Sequence, residues 1–315
     1  MWTFFCLGCV VGSPLLAKPI PVVLDTDIGS DIDDTWALYY LLQSPELDLK
    51  MVLTDTADTS YRARVAAKFL TECGRMDVAV GIGVPGKKDA EFQLPYVTDY
   101  ELSTYSGLIH EDGVQALIEM VHASEEPITL IALGPVPNLR VALERDPTIA
   151  AKMHYIGMQG SIDLGYGKGA ASAEWNVASH IADFRAVLGA DWQSFKITPL
   201  DTCGFIKIEG EAYQSLKQSE LLGLKAVFEN YDYWEDLVTW EKPDYVEHRT
   251  STLYDIVPIY MAYSGELLEY EQMRIVVDDE GFTRRSEEGH LVDVAMRWKD
   301  LDAFYSDVVA RLLKE

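Results

Sequence analysis

Cysteine and positive charge are both scarce in this sequence. Its 315 residues include only 4 cysteines, too few for a disulfide-stabilised scaffold. There are 26 lysines and arginines against 51 aspartates and glutamates, which gives a formal net charge of −25. This charge repels polyphosphates, so we expect no nucleic-acid polymer as a partner and no binding to anionic membranes. The hydrophobic share of 48% and the charged share of 24% are typical of a folded soluble protein. The negative charge is compatible with small neutral ligands and with cations.

The chain begins with an uncharged, largely apolar stretch, Met1–Ala17. It is too short to span a bilayer comfortably, so stable membrane insertion is not expected. It resembles a signal-peptide core that ends in small residues, so we predict that residues 1–17 are a signal peptide and that the protein is secreted or periplasmic. A lipoprotein signal with Cys9 lipidated is the alternative. Export would leave Cys73 and Cys203, which we expect to be free and mostly buried.

Short apolar runs alternate with helical patterns from residue 18 onward. This alternation predicts βαβ units, and therefore an α/β fold with an open, mostly parallel sheet flanked by helices. Without an internal repeat or a linker, residues 18–315 are predicted to form a single domain. The predicted strands are Ile20–Leu24, Leu49–Leu53, Val78–Val80, Ile128–Leu133, His154–Gly157, Phe195–Leu200, Met273–Val277 and Leu291–Trp298. The predicted helices include Pro137–Arg145, which opens with proline, and Ala178–Leu188.

Polar and glycine-rich segments follow most of the predicted parallel strands. Because the carboxyl ends of parallel strands form the ligand crevice of an open sheet, these segments are expected to meet there and form the active site. They are Asp25–Asp34, Thr54–Thr59, Gly134–Asn138, Gln159–Gly169 and Asp201–Thr202.

The segment Asp25–Asp34 holds five carboxylates in ten residues. Like charges this close repel one another, and their dehydration is costly unless a cation or hydrogen-bond donors compensate. Oxygen ligands without a nearby His or Cys favour Ca²⁺ or Mg²⁺ over zinc. Helix capping by Asp33 or Asp34 is the alternative, but it accounts for only one or two of the five carboxylates.

Two other interpretations of this loop fail on spacing. An EF-hand that starts at Asp25 would need Gly and Glu where Ser30 and Trp36 stand. A phosphoaspartyl enzyme with Asp25 as nucleophile and Asp27 as acid/base would carry Thr or Val where this sequence has Gly29.

Five segments in order along the chain resemble the nucleoside hydrolases, the inosine-uridine preferring enzymes and their relatives. Asp25–Asp34 (DTDIGSDIDD) is similar to the end of the family's first strand, and Ile128–Asn138 is similar to its ITLVATGPLTN. Ala173–Asn176 (AEWN) resembles the family's AEFN, and Leu253–Asp255 resembles its late HD or YD site. Val292–Leu313 resembles the closing strand and helix.

The resemblance implies a Ca²⁺ cofactor at the bottom of the crevice, which binds a water and the ribose diol. It implies four metal ligands: Asp27, Asp34, Asp255 and the backbone carbonyl of Leu133. Asp27 would also take the proton of the water as general base. Helix capping is the alternative role for Asp255.

The resemblance also implies how the sugar would be held. Asp33 would bind the ribose 2′-hydroxyl, and Glu174 and Asn176 the 3′- and 5′-hydroxyls. Glu174 and Asn176 can alternatively be ordinary polar residues of a loop. N-glycosidic cleavage passes through a ribosyl cation, which a dense negative pocket stabilises.

The group that protonates the leaving base is less clearly indicated. The family's late His is Tyr254 here, and a phenol is a weak acid near neutral pH. His110, in a segment that resembles the family's HGxDG, is a second candidate, and His248 is a third. Trp175, or the segment that contains Trp234 and Trp240, would stack on the base.

Together these patterns predict Ca²⁺-dependent hydrolysis of the N-glycosidic bond of a ribonucleoside, with release of free base and ribose. One alternative keeps the fold and metal but uses another ribosyl or N-glycosyl compound. The other is a catalytically silent protein that binds calcium and sugar. The resemblance is also compatible with a homodimer or a homotetramer.

Overall fold

A ten-stranded sheet lies at the centre of the computed structural model, which describes residues 18–240 and 245–314. The predicted signal segment and Cys9 lie outside the described residues. The strands are β1 (Ile20–Thr26), β2 (Leu47–Thr54), β3 (Ala79–Ile82), β4 (Ile109–His110), β5 (Ile128–Ala132), β6 (Met153–Met158), β7 (Ser194–Thr198), β8 (Leu268–Val277), β9 (Thr283–Arg285) and β10 (His290–Trp298).

The sheet is mostly parallel, as the alternation of strands and helices predicts. Its order is β4-β3-β2-β1-β5-β6-β7-β10-β8-β9, and only the pairs β10–β8 and β8–β9 are antiparallel. From β1 the chain builds outward through β2 to β4 on one side, and then through β5 to β7 on the other. The order therefore reverses between β1 and β5, where a doubly wound sheet opens its ligand crevice.

Helices cover both faces of the sheet. The helices are α1 (Asp33–Leu42), α2 (Thr59–Glu72), α3 (Leu94–Val97), α4 (Gly113–Ala123), α5 (Pro137–Arg145), α6 (Trp175–Ser179), α7 (Ile181–Leu188), α8 (Leu200–Cys203), α9 (Gly210–Lys217), α10 (Leu222–Leu237), α11 (Tyr245–His248), α12 (Ile256–Tyr263) and α13 (Leu301–Leu312). None of the helices in the described ranges is long and apolar enough to cross a membrane.

The first strand shows why the sheet is buried on both sides. Its side chains alternate in direction, so Val22 and Leu24 join one hydrophobic cluster and Val23 joins the other. The first cluster packs against helices that include α1, α2 and α12, and the second packs against α4, α5 and α7. A strand covered on both faces carries a continuous apolar run, which is the signal in the sequence of β1.

The predicted strands all form, and the predicted helix Pro137–Arg145 has the bounds of α5. The predicted helix Ala178–Leu188 is instead divided into α6 and α7, because His180 between them takes a non-helical backbone conformation with φ −138° and ψ 49°. As expected, Cys73 and Cys203 are free thiols, the first half-buried and the second buried.

Candidate active site

A cavity of about 550 Å³ opens at the carboxyl ends of the strands, near the reversal between β1 and β5. Segments that follow β1, β5 and β6 reach it, as do the starts of α6 and α12. Nine of the predicted site residues line it: Asp27, Asp33, Asp34, Leu133, Glu174, Trp175, Asn176, Tyr254 and Asp255. The fold thus brings together segments that lie far apart in the sequence.

Three buried carboxylates form a cluster in this cavity. Asp33, Asp34 and Asp255 each offer a carboxylate oxygen, and these oxygens lie within 4.8 Å of one another. Asp33 and Asp34 belong to the first turn of α1, where the positive end of the helix dipole favours negative charge, whereas Asp255 directly precedes α12. The family resemblance implies that Asp27 is a metal ligand together with Asp34 and Asp255, whereas the tight cluster contains Asp33 in place of Asp27.

Helix capping does not account for these carboxylates. The N-cap position of α1 is Ile32, and no side chain caps that helix. Asp255 occupies the N-cap position of α12, yet its side chain makes no capping hydrogen bond. The cluster therefore brings negative charges together without the capping hydrogen bonds that would give Asp33, Asp34 or Asp255 a purely structural role.

Burial and mutual repulsion make these carboxylates costly to ionise. Desolvation raises the pKa of Asp33, Asp34 and Asp255 well above the ordinary range, and neighbouring carboxylates raise it further. The hydroxyl of Thr26 donates to Asp34 and partly offsets this effect. A buried set of oxygen donors with excess negative charge fits a hard divalent cation such as Ca²⁺ or Mg²⁺.

Asp27 follows the buried end of β1 and faces the same cavity. Its carboxylate accepts a hydrogen bond of 3.1 Å from the hydroxyl of Ser30, and its backbone carbonyl accepts one from the guanidinium of Arg62. The backbone of Gly134, just beyond β5, approaches so closely that a Cβ there would lie 2.6 Å from Asp27 Oδ1. Asp27 is therefore held from several sides.

Glu174 and Asn176 connect the start of α6 to the floor of the cavity. The Glu174 carboxylate accepts hydrogen bonds from the backbone N–H groups of Gly160, Asn176 and Val177, and burial raises its pKa to about 7. The Asn176 amide donates to the carbonyl of Leu133 at 2.6 Å. A carbonyl has two lone pairs, so this bond leaves Leu133 one lone pair for a further partner.

Aromatic side chains form the outer wall. Trp175 and Trp240 line the cavity while 54% and 59% of their surfaces remain exposed. The rings of Tyr166 and Tyr254 meet edge to face, with their centres 6.0 Å apart. Burial raises the pKa of the Tyr254 hydroxyl above its usual range, so it remains a hydrogen-bond donor in alkaline solution.

The tenth predicted site residue, His110, is not among the residues that line the cavity. It lies on β4, at the edge of the sheet and three strands from β1, which corresponds to about 14 Å at the usual strand spacing. His248 on α11 is likewise absent from the lining, and Trp234 is fully buried in the core. Of the candidates for the leaving-group acid, only Tyr254 faces the cavity.

The contribution of Arg62 was not foreseen. This residue of α2 is 1% exposed and bonds to the backbone of the acidic loop. The sequence did contain a signal, since Arg62 stands on the same helical stripe as the buried residues Ala66 and Phe69. A charged residue on an apolar stripe indicates a buried polar partner.

The sheet and the site define an open, mostly parallel α/β protein with a buried cluster of carboxylates in an aromatic-walled cavity. The chain belongs to the family of inosine-uridine preferring nucleoside hydrolases, whose family model matches residues 22–306. Its fold is that of a plant nucleoside hydrolase, PpNRh1, with a TM-score of 0.79 and 23% identity over 95% of this chain and 100% of the other. An inosine-uridine preferring nucleoside hydrolase from Bacillus anthracis has a TM-score of 0.73 and 19% identity, with 94% and 99% of the two chains covered.

Among curated relatives, uridine nucleosidase 1 of Arabidopsis thaliana is 28% identical over 202 residues, with 59% of each chain covered. The chain therefore spans little more than half the length of the curated relatives it matches, with 54% for a probable uridine nucleosidase 2 of Oryza sativa. These comparisons establish the family and the fold.

Proposed function

We propose that this protein hydrolyses the N-glycosidic bond of a ribonucleoside in a Ca²⁺-dependent reaction and releases the free base and ribose. The observation that carries the proposal is the carboxylate cluster of Asp33, Asp34 and Asp255, with Asp27 beside it, in a cavity walled by aromatic rings. The acidic floor suits a cation and a sugar diol, and the aromatic wall suits a planar base.

The ligands proposed for the ion are Asp27, Asp34, Asp255 and the carbonyl of Leu133, and Asp33 is close enough to share in binding. The donor set consists of oxygens alone, which supports Ca²⁺ rather than zinc. When bound, the ion would lower the pKa of a water molecule and supply a nucleophile near neutral pH.

Asp27 is the proposed general base. Its hydrogen bond from Ser30 and the close backbone of Gly134 restrict its side chain, so its carboxylate is oriented before substrate arrives. In the reaction, the C1′–N bond breaks and its electron pair goes to the base. The water oxygen then bonds to C1′, and Asp27 takes the proton released by the water. The departing base takes up a proton from solvent, and Asp27 returns its proton to solvent, which restores the enzyme.

Asp33, Glu174 and Asn176 are proposed to bind the ribose hydroxyls from the floor and side of the cavity. The carboxylates also favour the positive charge that develops on the ribosyl ring as the C1′–N bond breaks. At Glu174 this stabilisation costs little reorganisation, because three backbone N–H groups already hold its carboxylate in place.

Tyr254 is the proposed donor to the departing base. Its hydroxyl remains protonated because burial raises its pKa, so it can hydrogen-bond to a ring nitrogen as negative charge develops there. Trp175 and Trp240 are proposed to contact the faces of the base at the cavity mouth.

A panel of purine and pyrimidine ribonucleosides, incubated with the protein and Ca²⁺, tests this function. The expected result is release of free base together with reducing sugar, which Asp27→Ala abolishes. Omission of the ion by chelation is the second control. Tight binding of nucleoside without release would overturn hydrolysis and support the silent binding protein, whereas activity on a generic phosphate ester would support phosphoaspartyl chemistry.

A further inference from the structure

The Arg62 guanidinium lies behind the acidic loop rather than in the cavity. Its side chain is 1% exposed, and it projects from the first turn of α2 toward the ends of β1 and β2. A buried cation requires hydrogen-bonding partners, because its dehydration is otherwise costly. The nature of these partners indicates what Arg62 does.

Arg62 uses its donors mainly on backbone carbonyls. Nη1 donates to the carbonyls of Asp27 and of Ile28, the second at 3.0 Å, and Nε donates to the carbonyl of Thr56 at 3.2 Å. The first two carbonyls belong to the loop after β1, and the third belongs to the loop after β2. One side chain therefore joins the two loops at the carboxyl ends of adjacent strands.

The loop after β2 has an unfavourable backbone conformation at this point. Thr56 and Ala57 have φ values of 47° and 48°, in the left-handed region that residues other than glycine rarely adopt. A residue in this conformation is strained and persists only where its surroundings hold it. The bond from Arg62 Nε to the Thr56 carbonyl is one of the interactions that hold it.

Arg62 does not neutralise the Asp27 carboxylate by direct hydrogen bonding. Its Nη2 lies 3.9 Å from Asp27 Oδ2, which is too long for a hydrogen bond. The carboxylate therefore remains available to another cation while the backbone beneath it is fixed. A lysine would supply the same charge, but not the planar fork that reaches three carbonyls in two loops.

We propose that Arg62 is a positioning residue of the Ca²⁺ site, which sets the direction of the Asp27 carboxylate by clamping the backbone of the loops after β1 and β2. This inference rests on the proposed function for the identity of the ion. It attributes the effect to the shape of the guanidinium rather than to its charge.

The test compares Arg62→Lys and Arg62→Met with Arg64→Met in the full chain. Arg64 is a matched control, because it lies on the same helix, is half-buried and donates to the Val97 carbonyl at 3.2 Å, away from the site. Calorimetric titration of chelator-treated protein with Ca²⁺ is the main readout, and circular dichroism establishes folding. Both Arg62 variants are expected to bind Ca²⁺ about 10- to 100-fold more weakly, as is usual when the support of a ligand is lost. Arg64→Met is expected to match the wild type.

A second readout separates positioning from general destabilisation. At saturating Ca²⁺, folded Arg62 variants are expected to lose kcat on a nucleoside, because Asp27 is misdirected, with a smaller change in KM. Wild-type Ca²⁺ affinity in a folded Arg62→Met or Arg62→Lys protein would overturn the proposal, and Arg62→Lys decides alone if Arg62→Met does not fold. A wild type that binds Ca²⁺ but cleaves no nucleoside would refute the proposed function, while the titrations would still decide the role of Arg62.

Discussion

Buried carboxyl groups make the stability of the ion-free protein depend on pH, and the contributions of Glu174 and Asp25 can be worked out. Burial raises the pKa of Glu174 from 4.5 to about 7 and that of Asp25 from 3.8 to about 6. Between its ordinary and raised pKa, each group is protonated in the folded state and ionised in the unfolded state. The folded state then binds more protons, so stability falls as pH rises through these intervals.

The size of this effect can be worked out for a change from about pH 5.5 to about pH 8. Each pH unit between the two pKa values of a group changes stability by about 1.4 kcal/mol, which gives about 2 kcal/mol for Glu174 and less than about 1 kcal/mol for Asp25. Glu174 and Asp25 together cost roughly 3 kcal/mol, which lowers the Tm of a protein of this length by about 5 °C. Asp33, Asp34, Asp55 and Asp255, whose pKa burial raises well above the ordinary range, add to the loss in the same direction.

Calcium is expected to offset most of the stability that is lost through Glu174 and Asp25. At about 100 times its Kd, a ligand that binds only the folded state adds about 2.7 kcal/mol, or about 4 °C in Tm. The gain is expected to be larger near pH 8 than near pH 5.5, because protons compete with the ion for carboxylates whose pKa is raised, as it is for Asp33, Asp34 and Asp255.

Thermal unfolding of chelated protein at the two pH values, with and without added Ca²⁺, measures both effects. Glu174→Gln is the control variant, because it removes a contribution of about 2 kcal/mol and is expected to reduce the Tm difference between the two pH values by about 3 °C. A chelated wild type that melts at a higher temperature near pH 8 than near pH 5.5 would refute the reasoning.

Three further substitutions test other parts of the site. Gly134→Ala is expected to weaken Ca²⁺ binding about tenfold in a titration, since the new Cβ would lie 2.6 Å from Asp27 Oδ1. Trp175→Ala is expected to raise the KM for nucleoside about tenfold with little change in kcat, because stacking on a base contributes about 1–3 kcal/mol. Tyr254→Phe is expected to lower kcat about 100-fold through loss of the hydrogen bond to the departing base, whereas its control, His110→Ala, leaves steady-state kinetics unchanged.

Each of these substitutions has its own control or contrary result. Gly189→Ala is the control for Gly134→Ala, because a Cβ at position 189 would make only an ordinary contact of 3.4 Å. If the two variants bind Ca²⁺ equally well, the prediction for Gly134 is wrong. Leu222→Ala removes an exposed apolar side chain that does not line the cavity, so it serves for Trp175→Ala. If His110→Ala slows the reaction as much as Tyr254→Phe does, the assignment of the donor is wrong.

Much of the fold could be predicted because buried parallel strands and amphipathic helices have distinct patterns. The apolar run of β1 and the proline that opens α5 both produce clear boundaries. The two-residue strand β4 was not predicted, because a segment that short has no periodicity. The break between α6 and α7 involves a partner that is distant in sequence, since the His180 ring contacts the Thr56 hydroxyl as well as the neighbouring Asp183 carboxylate.

The composition of the site was predicted better than its geometry. The motifs correctly predicted that Asp27, Asp34 and Asp255 face one cavity, because each stands at the end of a strand or the start of a helix. The order in which strands pair cannot be read from local sequence patterns. His110 was therefore predicted to act at the site, although its strand, β4, is separated from β1 by β2 and β3. The role of Arg62 depends on how two loops approach each other, which neither loop indicates alone.

Asp34 and Asp255 lie far apart in the sequence but together in the fold, which has a consequence for fragments of this protein. An ion shared by Asp34 and Asp255 would link an early turn to one that is synthesised much later. A fragment that ends before Asp255 would retain most of the sheet, but it would lose the link that a shared ion makes between Asp34 and Asp255. Binding competence would thus be acquired late in synthesis, and split halves would regain it only by reassociating.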